Sequence, residues 1–114
     1  ADVRDVSTPL KAKLAGLTDY PGFDLLSKRT AGDVLEERGI EVKGRVGVGE
    51  IELTENEWAR ACNLRDKYWL YVIFDCGGLQ PRLYRVQDPF ANLITKARGS
   101  VVIGYGDIVS SASE

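Results

Sequence analysis

The segment Tyr68–Phe74 constrains the fold of this chain more than any other. All but one of its residues are aromatic or β-branched, and such side chains pack best in strands. A continuous apolar strand of this kind is covered on both faces, which predicts a central strand of a sheet. Cys76-Gly77-Gly78 interrupts the pattern, and Arg82–Gln87 then alternates apolar and polar residues. We therefore predict that the second segment pairs antiparallel with the first.

Other segments predict the remaining strands and the main helix. Ile40–Gly44 and Glu50–Leu53 alternate apolar and charged residues, as strands with one buried face do. Thr54 and Glu57 form a capping box, so a helix begins there. The patterns predict strands near 23–27, 40–46, 50–53, 68–75 and 82–87, and a helix near 55–65. We expect an α+β fold, with a mixed central β-sheet flanked by helices, in a single domain over 1–114 with its core in 19–97.

Between these elements the sequence signals are weaker. Lys28–Gly39 is charged and contains two glycines, which favours a hairpin loop with a helical turn around Val34–Arg38. Asp88-Pro89 predicts a short helix over Phe90–Ala97, because proline fits the first helical turn. Further predictions are a helix over Pro9–Leu14, a late strand over Val101–Ile103 and a frayed polar tail over Ser110–Glu114.

Several residue types are missing, and their absence excludes classes of site. The chain contains no histidine, which excludes a Ser-His-Asp triad, a Cys-His pair and a histidine-bound zinc. Cys62 and Cys76 fit neither a disulfide framework nor a zinc ribbon, so we predict two unbonded thiols in a cytoplasmic protein. No apolar run approaches the roughly 20 residues of a membrane span, so no membrane partner is expected. Because the chain also lacks methionine, even at position 1, we expect it to begin inside a longer reading frame or to have been processed. We expect one domain that forms the C-terminal part of a larger protein.

Three charged residues form the candidate site. Glu41 and Lys43 lie two residues apart on a predicted strand, so their side chains share one face. If that strand pairs with the one that contains Asp24, the two carboxylates come close together. With the backbone carbonyl of Val42 they make an all-oxygen metal site suited to Mg²⁺ or Mn²⁺. Lys43 would stand beside the metal, where its ammonium could orient or deprotonate a water or neutralise a phosphorane.

Two consequences follow for the electrostatics of this site. Without a metal the carboxylates of Asp24 and Glu41 repel each other, so the pKa of at least one should be raised. Lys43, taken as an exposed side chain, should contribute little to folding stability. The alternative interpretation of the pattern is a solvated strand face with cross-strand ion pairs.

Four motifs resemble one known family in their order and spacing. They are GFD at 22–24, IEVKG at 40–44, LTENEW at 53–58 and YWLYV at 68–72. Over about residues 19–92 the chain resembles the NO VEIN C-terminal domain family, domains of unknown function at the ends of helicases and restriction-like proteins. The resemblance implies a restriction-endonuclease-like fold of the PD-(D/E)XK type. Asp24 matches the aspartate of that motif, and Glu41 and Lys43 match its Glu-x-Lys.

The resemblance also implies cofactors and partners. A catalytic set of Asp24, Glu41 and Lys43 would use Mg²⁺ or Mn²⁺, act on DNA and contact other domains of a parent helicase-like protein. In one respect the chain departs from the pattern, because restriction-type sites usually take another acidic residue from a preceding helix. Asp2 and Asp5 are poorly placed for that role.

Two functions from different classes remain open. One is a metal-dependent nuclease-like domain that acts on DNA and is appended to a helicase or a restriction or defence protein. The other is a catalytically inactive nuclease-fold module that binds DNA or protein; an unrelated small α+β domain is a third. The net charge of −2 gives no general nucleic-acid footprint, so any DNA contact is local. A third acidic side chain within about 5 Å of Asp24 and Glu41 would favour the enzyme.

Overall fold

The computed structural model describes residues 2–5, 24–32, 34–93, 95–97 and 100–112. Its strands are β1 (Asp2–Asp5), β2 (Leu25–Ala31), β3 (Val34–Gly44), β4 (Ile51–Leu53), β5 (Tyr68–Phe74), β6 (Arg82–Gln87), β7 (Thr95–Ala97) and β8 (Val101–Ile103). Its helices are α1 (Glu55–Leu64), α2 (Pro89–Asn92) and α3 (Tyr105–Ser111), and a single 3-10 turn, Arg65–Lys67, follows α1. Within these ranges, no helix has the length and apolar character to cross a membrane.

A five-stranded mixed sheet carries the candidate site. Its order is β1-β2-β3-β5-β6, and only the β3–β5 pair is parallel among the described strands. Parallel neighbours need a crossover connection, and β4 and α1 lie in that connection. The register places Glu41 opposite Leu70 and Lys43 opposite Val72. A second sheet, antiparallel, has the order β4-β8-β7. The predicted α+β class with a mixed central sheet is confirmed.

The strand β5 is an inner strand, as its composition predicts. It pairs with β3 on one side and antiparallel with β6 on the other. Leu70, Val72 and Phe74 have no exposed surface, and Trp69 on the opposite face is also buried. The main core consists of Ile51, Leu53, Leu70, Val72, Phe74, Val86, Leu93, Ile103 and Ile108. The main sheet and the small sheet therefore share one core, to which β5 contributes three residues.

The charged segment Lys28–Gly39 is not a loop, contrary to the prediction, and it contains no helical turn around Val34–Arg38. Instead, β2 and β3 form a long hairpin whose turn includes Gly32 with φ of 64°. Lys28 faces Glu37 across the strand pair. Opposite charges that face each other stabilise an exposed antiparallel pair, so the charge density marks solvated strands rather than a loop.

The helix α1 begins at the predicted capping box. The backbone N–H of Glu57 donates to Thr54 Oγ1 at 3.2 Å, and the N–H of Thr54 donates to Glu57 Oε1 at 2.8 Å. Ala61 is fully buried, where it packs against Tyr68 of β5. Trp58 is half-buried and packs against both the main core and the smaller cluster of Ala61 and Tyr68. The first turn of α1 is therefore fixed against the sheet.

Of three further predicted elements, one is confirmed and two have other bounds. The helix after Asp88 ends at Asn92, and β7 takes the place of its predicted last turn. The predicted strand Val101–Ile103 is confirmed as β8. The predicted tail is helical up to Ser111, whose hydroxyl donates to the carbonyl of Asn92 at 2.9 Å. The helix predicted at Pro9–Leu14 lies outside the described residues.

The two cysteines are both free thiols. Cys62 lies on α1 and is partly buried, whereas Cys76 is exposed in the turn after β5. The prediction that they are not bonded to each other is confirmed.

Candidate functional site

Asp24 and the strand β3 meet through two hydrogen bonds. The sequence predicted Asp24 inside a strand, but Asp24 lies just before β2. Its backbone N–H donates to the carbonyl of Ile40 at 2.9 Å, and its Oδ2 accepts the backbone N–H of Val42, also at 2.9 Å. The Asp24 carboxylate thus extends the hydrogen bonding between β2 and β3 by one step beyond the end of β2. This contact fixes the Asp24 side chain at the edge of β3.

The same geometry directs the carbonyl of Val42. In an extended strand the N–H and C=O of one residue point to the same neighbouring strand. Because the N–H of Val42 reaches Asp24, its carbonyl lies on the Asp24 side of β3 as well. The backbone oxygen that the sequence assigns to a metal is therefore on the same side of β3 as the Asp24 carboxylate.

Glu41 is a buried carboxyl group with only 4% of its surface exposed. Burial, a hydrogen bond with Asp24 and the negative charges of Glu57 and Asp24 raise the pKa of Glu41 to about 9. At neutral pH Glu41 is therefore protonated and donates a hydrogen bond. The prediction that at least one carboxyl pKa is raised is confirmed, with burial as the largest cause and charge repulsion as a smaller one.

Lys43 lies beside this pair but forms its ion pair elsewhere. Its Nζ donates to both carboxylate oxygens of Glu57, each at 2.9 Å, and lies 3.9 Å from Glu41 Oε2. Since Glu41 is neutral at neutral pH, Glu57 is the anionic partner of this ammonium. Only 24% of the Lys43 side chain is exposed. The prediction of an exposed Lys43 is wrong, because the side chain is partly buried and paired, and the expectation of little influence on folding loses its basis.

Glu57 is the site residue that sequence reasoning missed. Its side chain was assigned only to the capping box, yet it also contacts Lys43 and is hydrogen-bonded to Glu41. Burial alone would raise the pKa of Glu57, but the hydrogen bonds from Thr54 and Lys43 outweigh it and lower the pKa. One sequence signal was present. Glu57 stands at the start of the helix that leads from the Glu-x-Lys strand to its parallel neighbour, which is where a crossover passes over the sheet.

The hydroxyl of Tyr68 is a buried polar group on which the charges of the same carboxyl groups act. Tyr68 has no exposed surface, and within the part of the chain that the structure describes its hydroxyl has no hydrogen-bond partner. Burial first, and then the charges of Glu41, Glu57 and Asp24, raise the pKa of Tyr68. A buried hydroxyl without a hydrogen-bond partner costs folding free energy.

These donors suit a hard divalent cation by type. Carboxylate and carbonyl oxygens are the ligands that Mg²⁺ and Mn²⁺ prefer, and Asp24, Glu41 and the Val42 carbonyl supply three of them. Over the described ranges, however, no three His, Cys, Asp or Glu residues form a group arranged to hold a metal ion. A cation at this site would therefore rest on two carboxylates and one carbonyl, with water as the remaining ligands.

Tyr68→Phe is expected to stabilise the metal-free protein by about 1 kcal/mol, because it removes an unsatisfied buried hydroxyl. Tyr71→Phe is the matched control, since the Tyr71 hydroxyl accepts a hydrogen bond from Arg38 Nη1 at 2.9 Å and its loss should destabilise. Urea unfolding of the two variants measures the difference. A loss of stability in Tyr68→Phe as large as in Tyr71→Phe would contradict the orphaned state of Tyr68.

An open cleft of about 560 Å³ adjoins Lys43. It runs between the end of β3 and the small sheet, and its lining includes Arg45, Glu50, Glu52 and Ser100. Arg45 is exposed, and its Nη1 donates to the carbonyl of Glu50 at 3.4 Å. Lys43 therefore contacts the carboxyl cluster through Glu57 and also contributes to the lining of this cleft.

Comparison with protein families decides the relationship of this chain. The family model described as protein NO VEIN, C-terminal, matches residues 13–86, which is more than half of the chain. This chain belongs to the NO VEIN C-terminal family. The matched region contains Asp24, Glu41, Lys43 and Glu57, so the whole described cluster lies within the NO VEIN C-terminal domain. No curated protein sequence matches the chain significantly.

A solved structure shows the fold of this NO VEIN C-terminal domain. Hjc, a Holliday junction resolvase from Archaeoglobus fulgidus, superposes on it with a TM-score of 0.52 over 82% of this chain and 70% of the resolvase. The two sequences are 16% identical, so the likeness concerns the fold alone. It confirms the predicted α+β fold with a mixed central sheet, and this fold resembles that of the resolvase.

Proposed function

We propose that this NO VEIN C-terminal domain is a metal-dependent nuclease that hydrolyses phosphodiester bonds in DNA. The convergence of Asp24, Glu41 and Lys43 at one point of a nuclease-like fold supports this function most directly. Burying Glu41 among other carboxyl groups costs folding free energy, and such strongly perturbed groups concentrate at functional sites.

Each residue has a distinct part in this proposal. Asp24, Glu41 and the Val42 carbonyl would hold Mg²⁺ or Mn²⁺, which when bound supplies Lewis-acid polarisation of a phosphate. Lys43 would donate from Nζ to a non-bridging phosphate oxygen or to the attacking water and so stabilise the negative charge that develops. Asp24 is oriented by the Val42 N–H, which donates to its Oδ2, and its carboxylate also shares a hydrogen bond with Glu41.

DNA is the proposed substrate because the fold is similar to that of a Holliday junction resolvase. The net charge of −2 means that phosphate contacts must be local. Arg45, exposed at the cleft beside Lys43, is the cation best placed for such a contact. We further propose that the domain serves a cytoplasmic helicase or a restriction or defence protein.

Asp24→Asn is expected to weaken Mn²⁺ binding at least about tenfold, which is the cost of losing even an outer partner of a metal ligand. Calorimetric titration of the full chain with MnCl₂ measures the affinity, and cleavage of single- and double-stranded DNA in Mn²⁺ measures the activity. Asp66→Asn, an exposed aspartate on the turn after α1, is the control and should bind Mn²⁺ like the wild type. Equal affinities for both variants would remove Asp24 from the metal site.

A non-catalytic DNA- or protein-binding module is the second candidate. Two observations favour it: Lys43 is already paired with Glu57, and the described residues offer no three-residue metal cluster. The same experiment separates the candidates. A nuclease binds Mn²⁺ and cuts DNA. A DNA-binding module shifts DNA in a mobility-shift assay but neither binds Mn²⁺ nor cuts a strand, and a protein-binding module does none of the three.

A further inference from the structure

We propose that Glu57 is a positioning residue for Lys43, holding its ammonium at a fixed place beside Asp24 and Glu41. This inference rests on the proposed nuclease function. It concerns a residue whose sequence motif explains only a helix cap, and it assigns that residue a second role in the site.

The contact between the two side chains restricts the ammonium strongly. Both oxygens of Glu57 lie 2.9 Å from Lys43 Nζ, so two of the three N–H groups of the ammonium point at one carboxylate. The third N–H then has a defined direction. A lysine has a flexible four-carbon stem, and without such a clamp its ammonium samples many rotamers.

Glu57 can act as a clamp because it is itself fixed. Its Oε1 accepts the backbone N–H of Thr54 at 2.8 Å, which ties the carboxylate to the first turn of α1. Negative charge is favoured at that end of a helix. The helix in turn is anchored to β5 by the packing of Ala61 against Tyr68. The position of Lys43 Nζ is thus set by two elements, β3 through its own backbone and α1 through Glu57.

A purely structural role of Glu57 in the helix cap would give a different pattern. Glu57→Gln keeps an amide oxygen that can accept the Thr54 N–H, but it removes the charge that holds the ammonium. Thr54→Ala has the opposite effect, because it removes the hydroxyl that caps α1 and leaves the carboxylate in place. Glu55→Gln removes an exposed acidic group from the same helical turn and serves as the charge control.

The first measurement is Mn²⁺-dependent DNA cleavage by the full chain. Glu57→Gln is expected to lower kcat about 100-fold, the scale of a misplacement of roughly 1 Å, with KM within about twofold of wild type. Thr54→Ala and Glu55→Gln should retain kcat. The proposal is overturned if Glu57→Gln cuts DNA at the wild-type rate or faster, or if Thr54→Ala loses as much kcat as Glu57→Gln does.

The second measurement does not depend on cleavage. In protein labelled with ¹⁵N-lysine, the Lys43 ammonium should give a signal with slow proton exchange in wild type and in Glu55→Gln, and this signal should be lost in Glu57→Gln. An unchanged Lys43 signal in Glu57→Gln would overturn the clamp. If the signal is lost but the wild-type chain cuts no DNA, the nuclease function fails and the contact between Glu57 and Lys43 stands, so the two failures are distinguishable.

Discussion

Lys43→Ala is expected to lower Mn²⁺-dependent DNA cleavage by about 10²–10³-fold, the usual cost of removing one donor aimed at developing negative charge. The ammonium lies 3.9 Å from Glu41 Oε2, and Lys43 also lines the open cleft. Single-turnover cleavage with the full chain measures the chemical step apart from product release.

The same substitution has a second expected effect, on folding. Removing Lys43 leaves Glu57 partly buried without its cation, which should cost about 1–3 kcal/mol of unfolding free energy. Lys28→Ala, an exposed lysine on β2, is the control for loss of positive charge and should change neither quantity. Cleavage must be compared without urea, at a temperature at which both variants are folded. Normal cutting by folded Lys43→Ala would end the enzymatic interpretation of this site.

Local sequence patterns predicted the parts of the fold that local patterns control. The aromatic and β-branched run of β5 specified an inner strand, and Thr54 with Glu57 specified the start of α1. The Glu-x-Lys spacing placed Glu41 and Lys43 on one face because strands have a period of two. These features depend on residues that are close in sequence, so one amino-acid sequence is enough to predict them.

The errors arise where distant residues decide the structure. The charged stretch of β2 and β3 resembles a loop until each residue is paired with its cross-strand partner, as Lys28 is with Glu37. Likewise, β4 reads as one more strand of the central sheet, whereas it pairs with β8 from the far end of the chain. Glu57 joins the site only because the crossover brings the start of α1 over β3. None of these pairings has a signal within a short window of sequence.

Glu41→Gln is expected to stabilise the metal-free protein at pH 8 by a few kcal/mol and to remove most of the pH dependence of its stability between pH 5 and 9. The folded state holds Glu41 with a pKa of about 9, against an ordinary value of 4.5. Between those values the folded chain keeps a proton that the unfolded chain has lost. The stabilisation from Glu41 is therefore complete at low pH and disappears as the pH rises, by up to about 1.4 kcal/mol per pH unit.

The neighbouring groups titrate outside that window. The lowered pKa of Glu57 gives a contribution that is present above pH 4.5 and is lost only as the pH falls further. The raised pKa of Tyr68 gives one that is lost only at high pH, above the ordinary value of 10. Of these three groups, therefore, only Glu41 contributes to the pH dependence of unfolding between pH 5 and 9.

The variant Glu41→Gln should also separate folding from metal binding, because the two effects have opposite signs. A glutamine imitates the protonated carboxyl and keeps its hydrogen bonds, so the metal-free fold gains stability as the pH rises relative to wild type. The same change removes a carboxylate ligand, so the heat of Mn²⁺ binding should disappear. Glu52→Gln, an exposed carboxyl on β4, is the matched control and should leave both the slope and the heat unchanged. If Glu41→Gln retains the wild-type slope, the buried proton does not reside on Glu41, and if it retains the wild-type heat, Glu41 is not a ligand.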